Sequence, residues 1–245
     1  LASLSQAQTL FSEDFEGAPA FTLNTADASS VSGVANTWVV NDVYVGGTGT
    51  VDCSGFPLDF TIPATAAQPV DITSPTGQYL HTASLVAIDN SILNCSFGAA
   101  DGFCTNADDI FARMTTDVST AGSSDVELKF WWLCNGGNQN YGEVYYSTNA
   151  GASWQQVTVP LAQYRNTTNW GEQTVALPSF GNQATLRFGF RFHNGQSFLG
   201  GSDPGFAIDD VRIIAANTDP VSIAASLVPL TFCQGAFFNT DYSIT

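Results

Sequence analysis

Strict alternation of apolar and polar residues is the feature that most limits what this chain can fold into. It is clearest in residues 184–192, where Ala, Leu and three Phe side chains alternate with Thr, Arg, Gly and Arg. Residues 126–134 repeat the pattern, while helical periodicity is almost absent. A period of two places the apolar side chains on one face of a strand. The chain is therefore predicted to fold from antiparallel β-strands.

Weaker alternating runs, separated by turns rich in Gly, Asn, Ser and Pro, bring the prediction to about ten strands in two packed sheets. These runs are residues 10–15, 37–45, 79–87, 110–115, 142–147, 155–159, 173–177 and 206–214. Residues 46–78 instead contain four prolines and little alternation. We expect that stretch to be a long surface excursion rather than part of the core.

The charge balance excludes some classes of partner. The chain has 22 acidic and 6 basic side chains, a net charge of −16, and no Lys or Arg precedes Arg113. A nucleic-acid backbone needs a cationic face, so no nucleic-acid binding is predicted. No apolar run approaches the ~20 residues of a membrane span, so no membrane insertion is predicted either. Scarce Lys and abundant Asn, Thr, Ser and Gly favour a secreted, extracellular protein.

Both ends of the chain differ from its centre. Residues 1–8 are interpreted as a signal-peptide remnant or a polar tail, because Ser5 and Ala7 have small-x-small spacing. Residues 216–245 are interpreted as a linker and the start of a second β domain, too short to bury a core. We therefore expect a piece of a longer chain, whose other domains are partners, with Cys233 pairing beyond Thr245.

Five cysteines are compatible with an oxidising compartment. Cys95 and Cys104 bracket a short loop, and closing it costs little chain entropy. Cys134 is an even-numbered residue of its strand, like the apolar residues that face inward. A disulfide between Cys134 and Cys53 would tie the excursion 46–78 to the sheet. A buried free thiol at Cys134 is the alternative. Four cysteines allow three connectivities, and the choice stays open.

Seven segments in order resemble a known family. They are residues 10–17, 37–42, 79–82, 128–136, 141–148, 186–192 and 206–213. Together they resemble the MAM-like jelly-roll module of secreted Bacteroidota proteins and are similar to the cleaved-adhesin domains of gingipains and haemagglutinins. The resemblance implies an all-β, two-sheet antiparallel jelly-roll β-sandwich of the MAM or concanavalin type over residues 9–215. The Phe-Cys-Gln-Gly segment at 232–235 resembles the start of an Ig-like repeat.

The same resemblance implies a function. It indicates a non-catalytic adhesion or surface-interaction module of a large secreted or cell-surface protein, exported by the type IX route and used in adhesion or gliding. The expected partner is a cell-surface glycan or protein ligand. A carbohydrate-binding accessory module of a secreted hydrolase and a structural spacer of a surface filament are the alternatives.

Acidic residues near both ends of the predicted sandwich suggest structural Ca²⁺. Asp14 and Glu16 lie two apart and point the same way on an extended segment, while Asp209 and Asp210 are adjacent. If the first and last strands are neighbours, these acids repel one another unless a cation binds. The resemblance adds Asn41 and Asp42 as oxygen donors. The alternative is that these acids cap turns or face solvent.

No catalytic arrangement is evident. The two histidines, His81 and His193, are interpreted as hydrogen-bonded structural residues, and the chain has neither a Gly-x-Ser-x-Gly nor a His-Glu-x-x-His motif. The sequence therefore predicts that the domain is not an enzyme.

Three apolar residues are candidates for ligand contact. Trp131 and Trp132 are adjacent, so one of them leaves the core, either to stack on a ligand or to be covered by a loop. Phe198 and Leu199 lie in the glycine-rich loop 193–205 and could form a contact patch or a lid over Trp131. Binding is expected through loops at one end of the sandwich, namely 46–78 and 193–205.

Overall fold

The computed structural model describes residues 7–31, 33–197 and 200–216, which form strands with one short α-helix, α1 (Leu85–Asp89). The strands are β1 (Ala7–Glu13), β2 (Phe21–Thr25), β3 (Asn36–Asn41), β4 (Gly47–Cys53), β5 (Phe56–Ile62), β6 (Tyr79–Ser84), β7 (Asp108–Met114), β8 (Val126–Cys134), β9 (Asn140–Ser147), β10 (Gln155–Gln156), β11 (Thr167–Ala176), β12 (Arg187–Asn194) and β13 (Ala207–Ala216). Residues 1–6 and 217–245, with the predicted second domain and Cys233, lie outside the described residues.

Two antiparallel sheets pack face to face. The six-stranded sheet has the order β11-β8-β13-β6-β3, with β1 also pairing with β13, and the five-stranded sheet has the order β10-β9-β12-β7-β2. β4 and β5 form a separate two-stranded sheet. The first and last strands are neighbours, with Ala7 opposite Ala216. The predicted two-sheet antiparallel jelly-roll β-sandwich is confirmed.

The core lies between the two sheets and follows the alternation. Phe188, Phe190 and Phe192 of β12 are fully buried, and Phe190 is packed among other aromatic rings. On β8 the even-numbered residues face the same interior, as their parity predicted. Burying a large apolar side chain stabilises a fold by about 1.5–3 kcal/mol, so the alternating strands provide most of its stability.

The local pattern was less informative at the strand boundaries. The run 79–87 is a strand only as far as Ser84, whose Oγ accepts a hydrogen bond from Ala87 N at 3.4 Å and caps α1. Serine is a favoured helix N-cap, which explains why the strand ends there. Strands β2, β4 and β5 were not predicted from the alternating pattern.

The excursion 46–78 has two parts. Its first part is the β4–β5 hairpin, and its second, residues 63–78, is called the covering segment because it lies against the outer face of the six-stranded sheet. Within it Ile72 is buried, and Ala66 O accepts a hydrogen bond from Trp170 Nε1 at 2.9 Å. The excursion is therefore a surface feature, as predicted, but an ordered one. No helix among the described residues is long and apolar enough to cross a membrane.

Candidate functional site

A cavity of 280 Å³ opens between the β4–β5 hairpin, α1 and the loop 97–106, and we call it the hairpin cleft. Both loop regions predicted to bind ligand contribute to it, because the hairpin belongs to the excursion and Asp203 belongs to the loop 193–205. Among its lining residues are Val51, Phe60, Leu85, Phe97, Thr105 and Asp203. Concave sites that combine apolar walls with a few polar groups are the usual form of a small-ligand pocket.

Three kinds of contact hold the hairpin over the cleft. A disulfide joins Cys53, the last residue of β4, to Cys104. The Asn90 side chain accepts from Thr50 N at 3.3 Å and donates to Thr50 O at 3.4 Å. Phe60 packs against a small apolar cluster at the base of the hairpin. The mouth of the cleft is thus fixed by one covalent link and few non-covalent contacts.

The structure settles the cysteine pairing that the sequence left open. The structure pairs Cys53 with Cys104 and leaves Cys95 and Cys134 as buried free thiols, so the pairings Cys53–Cys134 and Cys95–Cys104 are wrong. Cys134 lies in the main core, away from the hairpin, as the free-thiol alternative required. Burial raises the pKa of both free thiols, which keeps them protonated and unreactive.

Asp203 is the charged group of the hairpin cleft, and nothing in the sequence singled it out. Its Oδ1 accepts a hydrogen bond from Phe97 N at 3.0 Å, and its main-chain carbonyl accepts one from Asn135 Nδ2 at 3.2 Å. Burial raises the pKa of this carboxyl to about 7. Among the described residues no Lys, Arg or His forms an ion pair with it.

Asp209 and Asp210, two of the acids predicted to bind Ca²⁺, lie where β13 changes partner from β6 to β1. The register of β13 shifts after Asp209, and Asp210 takes a positive φ of 47°. This bulge lets both carboxylates meet the covering segment, where Gln68 Nε2 donates to Asp209 and Thr73 N donates to Asp210 at 2.9 Å. A bulge commonly re-aims a side chain in this way.

The remaining predicted ligands are only partly brought together. Glu16 accepts a hydrogen bond from Gln78 N at 2.9 Å. Burial, and then the charges of Asp209, Glu16 and Asp42, raise the pKa of the Tyr44 hydroxyl. These three acids therefore lie near enough to Tyr44 to act on its hydroxyl through their charge.

Two predicted ligands are engaged by the protein itself. Asp14 Oδ1 accepts from Glu16 N at 3.2 Å. Asn41 Oδ1 accepts from Val43 N at 2.9 Å and lies 3.1 Å from His81 Nε2.

The oxygen-bearing side chains at the bulge meet some of the requirements for binding a hard cation such as Ca²⁺. Asp209 is fully buried, and burial with the neighbouring charge of Asp210 raises its pKa to about 8. Gln68 Oε1 is buried there without a hydrogen-bond partner. Calcium prefers such carboxylate and amide oxygens. Within the described ranges, however, no three or more Asp, Glu, His or Cys side chains are grouped closely enough to hold a metal ion.

The two adjacent tryptophans separate as expected. Trp132 turns inward, with its ring edge-to-face against Tyr164 at 4.9 Å. Trp131 is half-buried on the other face of the sheet, where its cross-strand neighbours are Asp209 and Glu172. Phe198 and Leu199 lie outside the described residues, so their role as a contact patch or lid stays a prediction.

Both histidines are hydrogen-bonded. His81 is fully buried with Nδ1 2.8 Å from Thr82 O, and burial lowers its pKa to about 4. His193 Nδ1 lies 2.6 Å from Asp109 Oδ1, and its ring lies 4.8 Å from the ring of Tyr141. In the described part of the chain no serine or cysteine side chain hydrogen-bonds to either histidine. An Asp–His pair without a nucleophile does not make a catalytic triad.

Comparison with known proteins finds similarity to several families. A family model described as Reelin subrepeat B matches residues 105–214. The K1 cleaved adhesin domain of Lys-gingipain from Porphyromonas gingivalis W83 is 18% identical, with 84% of this chain and 97% of that chain covered and a TM-score of 0.41. No curated protein matches significantly.

Two further solved structures are similar. The CBM22-1 xylan-binding domain of Xyn10C from Paenibacillus barcinonensis is 13% identical, covers 89% of this chain and 99% of that chain, and has a TM-score of 0.38. A Stig cyclase from Fischerella sp. TAU is 12% identical, with 86% of this chain and 99% of that chain covered, and also has a TM-score of 0.38. At these identities the likeness concerns the fold alone.

Proposed function

We propose that this chain is a non-catalytic surface-interaction module of a secreted or cell-surface protein, and that it binds its ligand in the hairpin cleft. One observation carries the proposal: two segments distant in sequence, the hairpin and the loop containing Asp203, line one cavity whose mouth is tied by a disulfide. Structural disulfides persist in oxidising environments, which supports an extracellular location.

The chemistry of the cleft supports binding rather than catalysis. Among the described residues that line it, Asp203 is the sole ionisable side chain. Acid–base and nucleophilic mechanisms need a second group, such as a base beside a nucleophile or a paired carboxylate. Ser84 lines the cleft too, but its hydroxyl caps α1. The cleft can therefore hold a ligand without transforming it.

A cleft-filling variant tests the site. Val51 is half-buried, lines the cleft and lies on the same face of the hairpin as Phe60, so Val51→Trp should fill the cleft, whereas Val70→Trp makes the same change at an exposed position outside it. Beads carrying each protein would be applied to cultured cells and to a glycan array. We expect Val51→Trp to lose at least about tenfold in attachment and Val70→Trp to retain it.

The outcomes separate the alternatives. Equal attachment by the two variants would show that the ligand binds elsewhere. Absence of attachment by the unmodified chain would favour a structural spacer. Attachment to a single polysaccharide that a secreted hydrolase degrades would favour the alternative of a carbohydrate-binding accessory module.

We also propose that structural Ca²⁺ binds at the β13 bulge, through Asp209 and Asp210 with Asp14, Glu16, Asn41 and Asp42 as the further candidates. The buried carboxylates of Asp209 and Asp210, which have no cationic partner among the described residues, and the unpartnered Gln68 Oε1 support this. A site saturated a hundredfold stabilises the fold by about 2.7 kcal/mol. Melting with Ca²⁺ and with EDTA is the measurement, and Asp209→Asn should abolish the difference. An unchanged midpoint in EDTA would refute the site.

A further inference from the structure

The hairpin cleft contains a carboxyl group that its walls cannot neutralise. Every described lining residue other than Asp203 precedes Arg113, and that part of the chain has no Lys or Arg. The hairpin, α1 and the loop 97–106 therefore supply no counter-ion. This follows from the sequence, once the structure shows which segments surround the cleft.

The carboxyl group itself has room for one more partner. Asp203 Oδ1 is bound by Phe97 N, whereas no hydrogen-bond donor among the described residues contacts Oδ2. The titratable groups that face Asp203 from the core side are the thiols of Cys95 and Cys134, and both stay neutral because burial raises their pKa. A half-buried carboxylate without a cationic partner is destabilising. A cation entering from the cleft would remove that cost.

The walls of the hairpin cleft are suited to a ligand with an extended apolar stem. Val51, Phe60 and Leu85 line a volume of 280 Å³, close to the lower end of small-ligand pockets at about 300 Å³. The cleft therefore holds a single side chain or ring. A lysine or arginine combines an apolar stem with a charged head, which matches apolar walls leading to a carboxylate.

Neutral sugars fit these walls less well, because both aromatic rings are already engaged. Phe97 is buried and packs edge-to-face against Phe192 at 5.1 Å. Phe60 packs against the apolar cluster that contains Ile62 and Ala87. These contacts reduce the ring area that is left for a sugar to stack on.

Two exposed aromatic residues adjoin the disulfide beside the cleft. Phe103 precedes Cys104 in the chain and is 71% exposed, and Phe56 lies opposite Cys53 in the hairpin and is 67% exposed. Exposed aromatic residues around a pocket are typical of protein interfaces. The net charge of −16 attracts a basic partner over long range.

We propose that the hairpin cleft binds a lysine or arginine side chain presented by a protein partner, with Asp203 as the counter-charge and Phe56 and Phe103 as apolar contacts beside the cleft. This deepens the proposed function and rests on the cleft being the ligand site. It names a basic protein surface as the partner.

Two small probes that differ in charge test the proposal. NMR titration of the 245-residue chain at pH 8 would compare Nα-acetyl-lysine N-methylamide with the norleucine analogue, which has the apolar stem but no ammonium. We expect the lysine probe to bind at least about tenfold more tightly. Asp203→Asn should remove that preference, while Asp71→Asn, a matched exposed acid outside the cleft, should keep it.

A pH series sharpens the test, because protonation of Asp203 removes the counter-charge. Lysine affinity should fall several-fold between pH 8 and pH 5.5 in the unmodified chain and stay flat in Asp203→Asn. Equal binding of both probes, or an unchanged lysine preference in Asp203→Asn, would overturn the proposal. Loss of attachment in Val51→Trp would then still support the cleft as ligand site, so the two failures are distinguishable.

Discussion

The sandwich interior and the β4–β5 hairpin are held together by different interactions. In the interior, the Phe190 ring lies 5.8 Å from Phe21, 5.3 Å from Phe130 and 6.3 Å from Phe206. The hairpin instead depends on the disulfide, the Asn90 hydrogen bonds and a small apolar cluster, and most of its residues are exposed or half-buried. An isolated two-stranded hairpin is marginally stable in water.

This difference explains where the candidate site lies. The interior gains its stability from continuous apolar burial and tolerates little change, whereas the hairpin contributes little to the core. A cleft between the two has one rigid wall and one wall held by few contacts. Perturbing the rigid wall should unfold the domain, and perturbing the hairpin should open the cleft first.

The largest effect is expected in the interior. Phe190→Ala should destabilise the domain by about 3–5 kcal/mol, because it removes a ring shared by both sheets and leaves a cavity. Denaturant unfolding measures the loss. Val70→Ala, at an 88% exposed position, is the control and should change stability by less than about 0.5 kcal/mol. A small loss at Phe190 would mean that the two sheets are not packed as one core.

Removing the disulfide should separate the two regions. Cys53→Ser combined with Cys104→Ser should cost about 2–4 kcal/mol. Hydrogen exchange should speed up first in residues 47–62, while amides of β8 and β12 remain protected. If the hairpin amides stayed as protected as in the unmodified chain, packing alone would hold the hairpin. The proposed difference between the hairpin and the interior would then be wrong.

A pH-dependent effect is expected at the rigid side of the cleft. The pKa of Asp203 is raised from 3.8 to about 7, so the folded state binds more protons between these values and stability falls as pH rises through that window. Asp203→Asn should therefore be more stable than the unmodified chain by about 1 kcal/mol at pH 8, with a smaller gain at pH 5.5. Urea unfolding at both pH values checks this, and a gain independent of pH would exclude titration of Asp203 as the cause.

The smallest effect is expected at the hairpin anchor. Asn90→Ala removes two long hydrogen bonds to Thr50 and the bond that Asn90 Nδ2 donates to Val86 O at 2.9 Å within α1. It should cost about 0.5–1 kcal/mol, and the loss of the Thr50 bonds should be seen as faster exchange in β4. Asp59→Ala is the matched control, because its side chain bonds only within the hairpin. The β4 amides should exchange more slowly in Asp59→Ala than in Asn90→Ala. The reverse order would contradict the role of Asn90 in anchoring the hairpin.

Much of the sandwich could be predicted from local pattern. The strands around 126–134 and 184–192 and the inward parity of Trp132 follow from alternation, because a side chain's face is set by its position along the strand. The sequence also located the conflict at Asp209 and Asp210, two adjacent acids that could not share a regular strand. How the conflict is resolved, through a bulge facing the covering segment, was not predictable from that pattern.

The candidate site was predicted only in outline. Loops 46–78 and 193–205 were predicted to bind ligand, and both line one cleft. Asp203 was not singled out, however, and the cysteine pairing was left open and lies between Cys53 and Cys104. Cys53 and Cys104 are 51 residues apart, and the pairing depends on how the hairpin folds back over α1.

By itself, then, the sequence determined the strand faces, the two-sheet class and the absence of Lys and Arg from the first 112 residues, since these depend on residue type and spacing alone. The tertiary structure decided which loops meet, which cysteines pair and which carboxylate is left without a counter-ion. Those outcomes depend on contacts between segments distant in the chain, and no local periodicity encodes them.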